Sequence, residues 1–171
     1  MNILFVCTGN SCRSFLAEYY ALDRAGKMGL SGVSFASAGT GAWDGAPPSP
    51  EAVRLLAEEG IDGSEHRARL LTREMLAETN LAVCMTLCHV DEVRELWGHI
   101  SAGHIMLLGD VESAGIRIGA DGSVSGLNLT AAQRREAEIA DPIGMGEDFY
   151  RVTYNRIKGY VDRLLATIKT G

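Results

Sequence analysis

Residues 3–14 read Ile3-Leu4-Phe5-Val6-Cys7-Thr8-Gly9-Asn10-Ser11-Cys12-Arg13-Ser14. Four apolar residues run into a cysteine, a small-residue turn and an arginine. Ile3 to Val6 has the composition of a strand buried on both faces. Beyond the Gly9-Asn10 turn, Phe15, Leu16, Tyr19, Tyr20 and Leu22 recur at helical spacing. Strand, tight loop, helix is the opening unit of a parallel α/β sheet. In such sheets ligands bind beyond the carboxyl ends of the strands. A loop wound there turns its backbone N–H groups inward beside a helix N-terminus and binds a phosphate-like oxyanion. Gly9 offers a permissive backbone, and Asn10 tolerates a left-handed conformation.

The chemistry of the loop follows from its placement. Cys7 stands where the strand stops, and the amides and helix dipole that hold an oxyanion also favour a thiolate. Arg13 offers a two-pronged contact to phosphoryl oxygens. Ser14 can donate to the sulfur. The expected arrangement is a nucleophile, Cys7, at the floor of an anion cradle formed by Thr8, Gly9, Asn10, Ser11, Cys12 and Arg13.

The rest of the chain continues the alternation. Val33–Ser37 is a second expected strand, and 39–50, with three Gly and three Pro around Trp43, is a loop. Ser49-Pro50-Glu51 starts a helix that stops at Gly60. Thr72 caps residues 73–78, Leu81–Thr86 is a third strand, and Val90, Val93, Leu96 and Trp97 mark a helix. His104–Leu108 is a fourth strand, and Thr130 caps residues 131–139. Phe149, Val152, Ile157, Tyr160, Val161, Leu164 and Ile168 form the stripe of a last amphipathic helix. The expected fold is a single-domain, open, twisted parallel sheet of about four strands over residues 1–171, with helices on both faces. Residues 115–128 carry Asp121-Gly122 between short alternating runs, which reads either as a hairpin or as a surface loop.

The loop Val6-Cys7-Thr8-Gly9-Asn10-Ser11-Cys12-Arg13-Ser14 resembles the phosphate loop of the low-molecular-weight protein tyrosine phosphatase family. That family includes bacterial protein arginine phosphatases and has thioredoxin-coupled arsenate reductases as relatives. The resemblance extends to Ser37-Ala38-Gly39, the Trp43 loop, His66-Arg67-Ala68-Arg69, Leu71-Thr72 and the segment from Asp141 to Leu165. It implies Cys7 as nucleophile, Arg13 as phosphate clamp and Asp141, ahead of Pro142, as general acid. Chemistry agrees: the leaving group needs a proton, and the same carboxyl can activate water against the cysteinyl phosphate. The resemblance also implies that Cys12 pairs with Cys7 under oxidant; the plainer reading is that Cys12 fills space beneath the loop. Trp43 either walls the cleft or anchors its loop.

Two departures bear on substrate. Eukaryotic tyrosine phosphatases of the family carry a bulky aliphatic residue at the Ser11 position, lining a slot for a flat ring. Arginine phosphatases of the family carry a small polar threonine there, so Ser11 tilts the expectation toward phosphoarginine over phosphotyrosine. Ile143 and Gly144 also stand where tyrosine enzymes have aromatics. Phe15 replaces a proline, with little functional effect expected. Residues 113–130 look like an insertion that either shapes access or is neutral.

The remaining expectations are bounded by composition. A net charge of −6 argues against a nucleic-acid partner. No apolar run reaches membrane-span length, and no export signal precedes Cys7, so a cytoplasmic home with reduced thiols is expected. The partners are then a phosphorylated protein and phosphate or another oxyanion, with no cofactor or metal, in a monomer or weak dimer. The rival enzyme, an arsenate reductase, needs two further relay cysteines, for which Cys84 and Cys88 are available. A zinc module would draw on Cys84, Cys88, His89 and the Cys7/Cys12 pair. His66, His89, His99 and His104 show no metal spacing, and His66 reads as structural. Arg67 and Arg69 either add positive potential or form a solvated face. Tyr150 and Tyr154 are either phosphorylation sites or packing residues.

Overall fold

The structure, a computed structural model, describes residues 1–97 and 104–168; His99 lies outside them. Four strands form one parallel sheet: β1 (Asn2–Cys7), β2 (Ser34–Gly39), β3 (Leu81–Cys84) and β4 (His104–Leu107). Their order is β2-β1-β3-β4. The chain leaves β1 to one side for β2 and later returns to its other side for β3. The carboxyl end of β1 is therefore the topological switch point, where this architecture opens a crevice.

The sheet is covered on both faces, which is why β1 is buried from Ile3 onward. Ile3, Phe5 and Cys7 face a core shared with Phe15, Leu16 and Tyr20 of α1 (Arg13–Met28). Tyr154, Ile157 and Leu164 of the terminal helix, Glu147–Thr167, complete that core. Leu4 and Val6 point the other way, onto Leu76, Val90, Val93 and Trp97. Those residues come from α3 (Arg73–Ala77) and α4 (Leu87–Trp97). The second helix, α2 (Pro50–Glu58), is capped by Ser49, with Pro50 at its first position.

Several boundaries differ from the sequence expectation. β3 ends at Cys84, not Thr86, because Thr86 leads into α4 and bonds its first-turn amide at His89 N, 3.4 Å away. β4 ends at Leu107, and Leu108–Glu112 is a 3-10 turn closed by Asp110, whose carboxylate accepts from Leu107 N. α5 covers only Ala131–Glu136; Ile139 turns inward, its N–H donating to Met85 O at 2.8 Å. Leu22 and Val152, assigned to apolar stripes, are exposed. Tyr150 and Tyr154 are buried and serve as packing residues.

Residues 115–128 do form a hairpin, with β5 (Arg117–Ile118) antiparallel to β6 (Val124–Ser125). Ile118 is buried and bridges to Ile168 beyond the terminal helix α6 (Glu147–Thr167). Gly122, at φ 88°, lies so close to Asn80 O that a Cβ would sit 2.4 Å from it. Asn80 precedes β3, so the hairpin packs at the amino edge of the sheet, away from the loop after β1.

Candidate active site

The turn after β1 is built around Asn10. This residue, and not Gly9, takes the left-handed backbone, at φ 52°. Its side chain is fully buried and fully used. Nδ2 donates to Ser14 Oγ (2.9 Å) and Ser37 Oγ (2.7 Å), and Oδ1 accepts from Arg69 N (2.8 Å). Its carbonyl accepts from His66 Nε2 at 2.7 Å. His66 is in turn stacked on Phe15, ring centroids 4.4 Å apart. Phe15 thus supports the loop instead of being idle, and His66 is structural as expected. Ser37 Oγ donates to Glu18 Oε2 at 2.5 Å, and burial pushes the Glu18 carboxyl above its usual range.

Cys7 Sγ sits inside this frame. Asn10 N donates to it at 3.3 Å, and Ser14 Oγ lies 3.0 Å away. Because Asn10 Nδ2 already donates to Ser14 Oγ, the Ser14 hydrogen is available to the sulfur, with Ala38 O a more distant acceptor at 3.4 Å. The end of β2 is stitched to the loop: Thr40 N donates to Cys7 O and Gly41 N to Thr8 O. Gly39 makes this approach possible. A Cβ there would lie 2.3 Å from Thr8 O and 2.9 Å from Asn10 N.

Arg13 opens α1 and is only 4% exposed. Its Nη2 donates to Asp141 Oδ2 at 2.5 Å and its Nη1 to Ile139 O at 3.3 Å. A contact spanning 128 positions thereby brings the sequence-predicted clamp and acid together. Asp141 Oδ1 accepts from Ile143 N at 3.2 Å, a turn that keeps the half-exposed carboxylate facing the loop. Thr8, Arg13, His89, Glu92, Glu138 and Asp141 line one cleft of about 560 Å³.

Cys12 is buried beside Cys7, and desolvation, with the neighbouring Cys7, pushes its thiol well above the usual range. Both are free thiols. Ser11 is half-buried, its carbonyl accepting from Ser49 N at 2.9 Å. Trp43 is 84% exposed and does not anchor its loop. That loop instead runs beside the phosphate loop, held by Gly41 N to Thr8 O and Ser49 N to Ser11 O. Arg69 is half a clamp on the frame, 3.8 Å from Glu18 through Nη2, while Arg67 is a solvated side chain bonding nearby carbonyls.

His89 was weighed in the sequence only as a zinc ligand, and its contacts are different. It is buried, with Nε2 2.9 Å from Thr8 Oγ1 and Nδ1 2.8 Å from Thr86 Oγ1. Burial and the Arg13 charge push its pKa down to about 4. Its sequence signal, Thr86-x-x-His89, is only the spacing of an N-cap and its third residue, which marks a helix start and not a site. Cys84 lies in the core on the sheet face opposite Cys7, and Cys88 is exposed on α4. They do not extend the Cys7/Cys12 pair into a relay or a metal set. Among the described residues no His/Cys/Asp/Glu group is placed to hold a metal, and no helix is long and apolar enough to cross a membrane.

A thiol held by an amide and a hydroxyl, beside a buried arginine and a carboxylate, can accept a phosphoryl group and pass it to water. Comparisons with known proteins agree. The family model described as low molecular weight phosphotyrosine protein phosphatase matches residues 2–120. A probable low molecular weight protein-tyrosine-phosphatase, EpsP, of Ralstonia nicotianae is 41% identical over 110 residues, covering 64% of this chain and 72% of its own. A protein-arginine-phosphatase of Geobacillus stearothermophilus is 30% identical over 168 residues, covering 98% of this chain and 96% of its own. Among solved structures, the YwlE arginine phosphatase C7S mutant with phosphorylated active site serine superposes with a TM-score of 0.78 at 26% identity, over 97% of this chain and 94% of that one. The alternative of an arsenate reductase finds no comparable support.

Proposed function

The chain belongs to the low molecular weight phosphotyrosine protein phosphatase family, and from that premise we propose that it removes phosphoryl groups from phosphorylated proteins through a cysteinyl-phosphate at Cys7. The observation that carries this reading is Cys7 Sγ, held by Asn10 N–H and Ser14 Oγ at the floor of the loop that ends on Arg13. The sulfur attacks phosphorus, and the bond to the leaving oxygen or nitrogen breaks. Charge on the three phosphoryl oxygens is met by the amides of residues 8–13 and by the Arg13 guanidinium. Asp141, as its acid, gives the leaving atom a proton. As carboxylate it then takes a proton from the water that attacks phosphorus and frees Cys7. The serine phosphorylated in the solved C7S relative supports this route.

The substrate reading leans to phosphoarginine and rests on Ser11. A half-buried hydroxymethyl group leaves room beside the loop and suits a polar guanidinium better than a phenyl ring. The relatives named protein-arginine-phosphatase match nearly end to end, at 30% and 28% identity, which supports the same lean. Trp43 and Ile143 are exposed apolar side chains, available in this reading to either substrate's side chain. A thiolate nucleophile works only when reduced, which suits a cytoplasmic setting.

The test is phosphate release from phosphoarginine and phosphotyrosine peptides of one sequence, by reduced protein and by Ser11→Ile. The parent should prefer phosphoarginine, and Ser11→Ile should move the ratio of kcat/KM values about tenfold toward phosphotyrosine, the scale of a reshaped apolar pocket. An unmoved ratio would remove Ser11 as the selector. No turnover of either peptide, with Cys7→Ser indistinguishable from the parent, would remove the phosphatase reading itself.

A further inference from the structure

Thr8 is the one exposed side chain of the phosphate loop that carries a hydroxyl bonded to a buried histidine. Its methyl group faces Gly41, where a Cβ would come within 3.7 Å of Cγ2. Its hydroxyl faces α4 and meets His89 Nε2 at 2.9 Å. Behind it, His89 Nδ1 meets Thr86 Oγ1 at 2.8 Å. Three groups therefore form a chain from the helix start to the cleft: Thr86, His89, Thr8.

The chain can run either way, and the direction taken here is the one in which Thr86 donates to Nδ1 and Nε2–H reaches Thr8. Thr86 Oγ1 already accepts from the first-turn amide, His89 N, at 3.4 Å. Its hydrogen has His89 Nδ1 as its near acceptor, at 2.8 Å. An imidazole that accepts at Nδ1 carries its proton on Nε2 when neutral. Nε2–H then donates to Thr8 Oγ1. With a lone pair so occupied, the Thr8 hydrogen points away from His89, into the cleft that Thr8 shares with Arg13 and Asp141. Burial and the neighbouring Arg13 charge keep the imidazole neutral at ordinary pH.

We infer that His89 is a positioning residue that fixes the Thr8 hydroxyl as a hydrogen-bond donor to the phosphoryl oxygens of bound substrate. This inference rests on the phosphatase reading for its substrate and adds a side-chain donor to a loop otherwise described through its amides. Thr8 touches the oxyanion; His89 acts only through Thr8. The contact is present in ground state and transition state alike, so its loss falls on binding and leaves kcat nearly as it was.

The experiment uses the full chain with Thr8→Val, Thr8→Ser, His89→Phe and the double variant Thr8→Val/His89→Phe. Calorimetric titration with inorganic phosphate and steady-state kinetics are the two readouts. Thr8→Val, nearly isosteric and exposed, should weaken phosphate binding and raise KM about tenfold, the scale of one hydrogen bond to a charged group. Thr8→Ser should restore both. His89→Phe should lose a similar factor, and the double variant should lose no more than Thr8→Val alone. Imidazole 15N shifts should show His89 protonated on Nε2. Additive losses in the double variant, an Nδ1-protonated tautomer, or phosphate binding unchanged in Thr8→Val would each overturn the inference. Phosphate titration needs no turnover. A Thr8→Val enzyme with the parent's KM and phosphate affinity refutes this pair and leaves the phosphatase reading standing; a parent without turnover refutes that reading alone.

Discussion

Replacing Asp141 by Asn separates its two relations to the loop. The carboxylate is both the assigned proton donor and the partner of Arg13 Nη2 at 2.5 Å. As a proton donor its loss should be large. General acid–base catalysis contributes about 10²–10⁴-fold. As an ion-pair partner its loss should be small and of opposite sign for binding. The Asp141 side chain is 42% exposed, so solvent screens the pair to at most about 1 kcal/mol. Asn keeps the shape and the acceptor oxygen but removes a negative charge that competes with phosphate for the guanidinium. Phosphate binding should therefore stay level or tighten, by about fivefold at most. The assay pairs two measurements on Asp141→Asn. One is the burst rate of leaving-group release from a phosphopeptide and from p-nitrophenyl phosphate. The other is phosphate affinity. The peptide burst should fall by about 10² or more, and the nitrophenol burst, whose leaving group needs little protonation, by much less. Equal losses on both substrates would refute the general acid. Phosphate binding weakened in step with turnover would recast Asp141 as a structural prop for Arg13.

Gly39→Ala places a methyl group against the backbone at Thr8 O and Asn10 N, so the loop or β2 must shift. Chemical denaturation should show a loss of about 1–3 kcal/mol with much weaker phosphate binding; a stable variant with intact binding would mean the strand end yields freely. Cys12→Ser tests protection: peroxide should inactivate the parent reversibly, with a Cys7–Cys12 disulfide seen by mass spectrometry, and inactivate the variant irreversibly. Reversal by dithiothreitol that is equal in both would leave Cys12 as a buried filler. His89 also predicts a pH dependence. Its pKa of about 4 in the folded chain lies below the ordinary ~6.5, so the unfolded chain binds the proton first. The corresponding stability is full above pH ~6.5 and is lost as pH falls through about 4, to an extent of at most about 3 kcal/mol. The melting-temperature gap between the parent and His89→Phe should narrow on acidification over that window; a constant gap would assign the acid loss to other groups.

The sheet was legible because parallel strands buried on both faces are written as short continuous apolar runs, and Ile3 to Val6 is one. Where such a run continued past the strand, the reading overran. Met85 and Thr86 extend the composition of β3, yet Thr86 oxygen serves the first turn of α4, and capping outweighs strand propensity there. Helix stripes overran for a different reason. Leu22 and Val152 are apolar residues near the edge of a buried face, and a folded surface keeps many such residues in water. The loop's left-handed residue was legible, since Asn10 takes that backbone and its side chain has three partners to hold it, whereas the glycine that sterics demand is Gly39, which sequence shows only as the end of a strand. Proximity of two backbones is a tertiary fact with no local signature.

Asp141 and His89 show the same limit at the site. Neither position can be derived from spacing to Cys7, because each reaches the cleft through the end of β3. Met85 N donates to Val6 O, fixing that strand end beside Cys7, and Met85 O accepts from Ile139 N two residues before Asp141. One residue further, Thr86 holds His89 Nδ1. A single extended turn thus registers the nucleophile, the proton donor and the histidine behind Thr8 against one another. Resemblance located Asp141 because Asp-Pro is a recognisable pair; Thr86-x-x-His89 is indistinguishable in sequence from any capped helix start, and only its contact with Thr8 gives it a role. A substitution at Met85 that shifts this turn should therefore disturb acid catalysis and oxyanion binding together, although Met85 is fully buried and lies on neither loop. Loss of only one of the two in Met85→Ala would show that the acid loop and His89 are held independently.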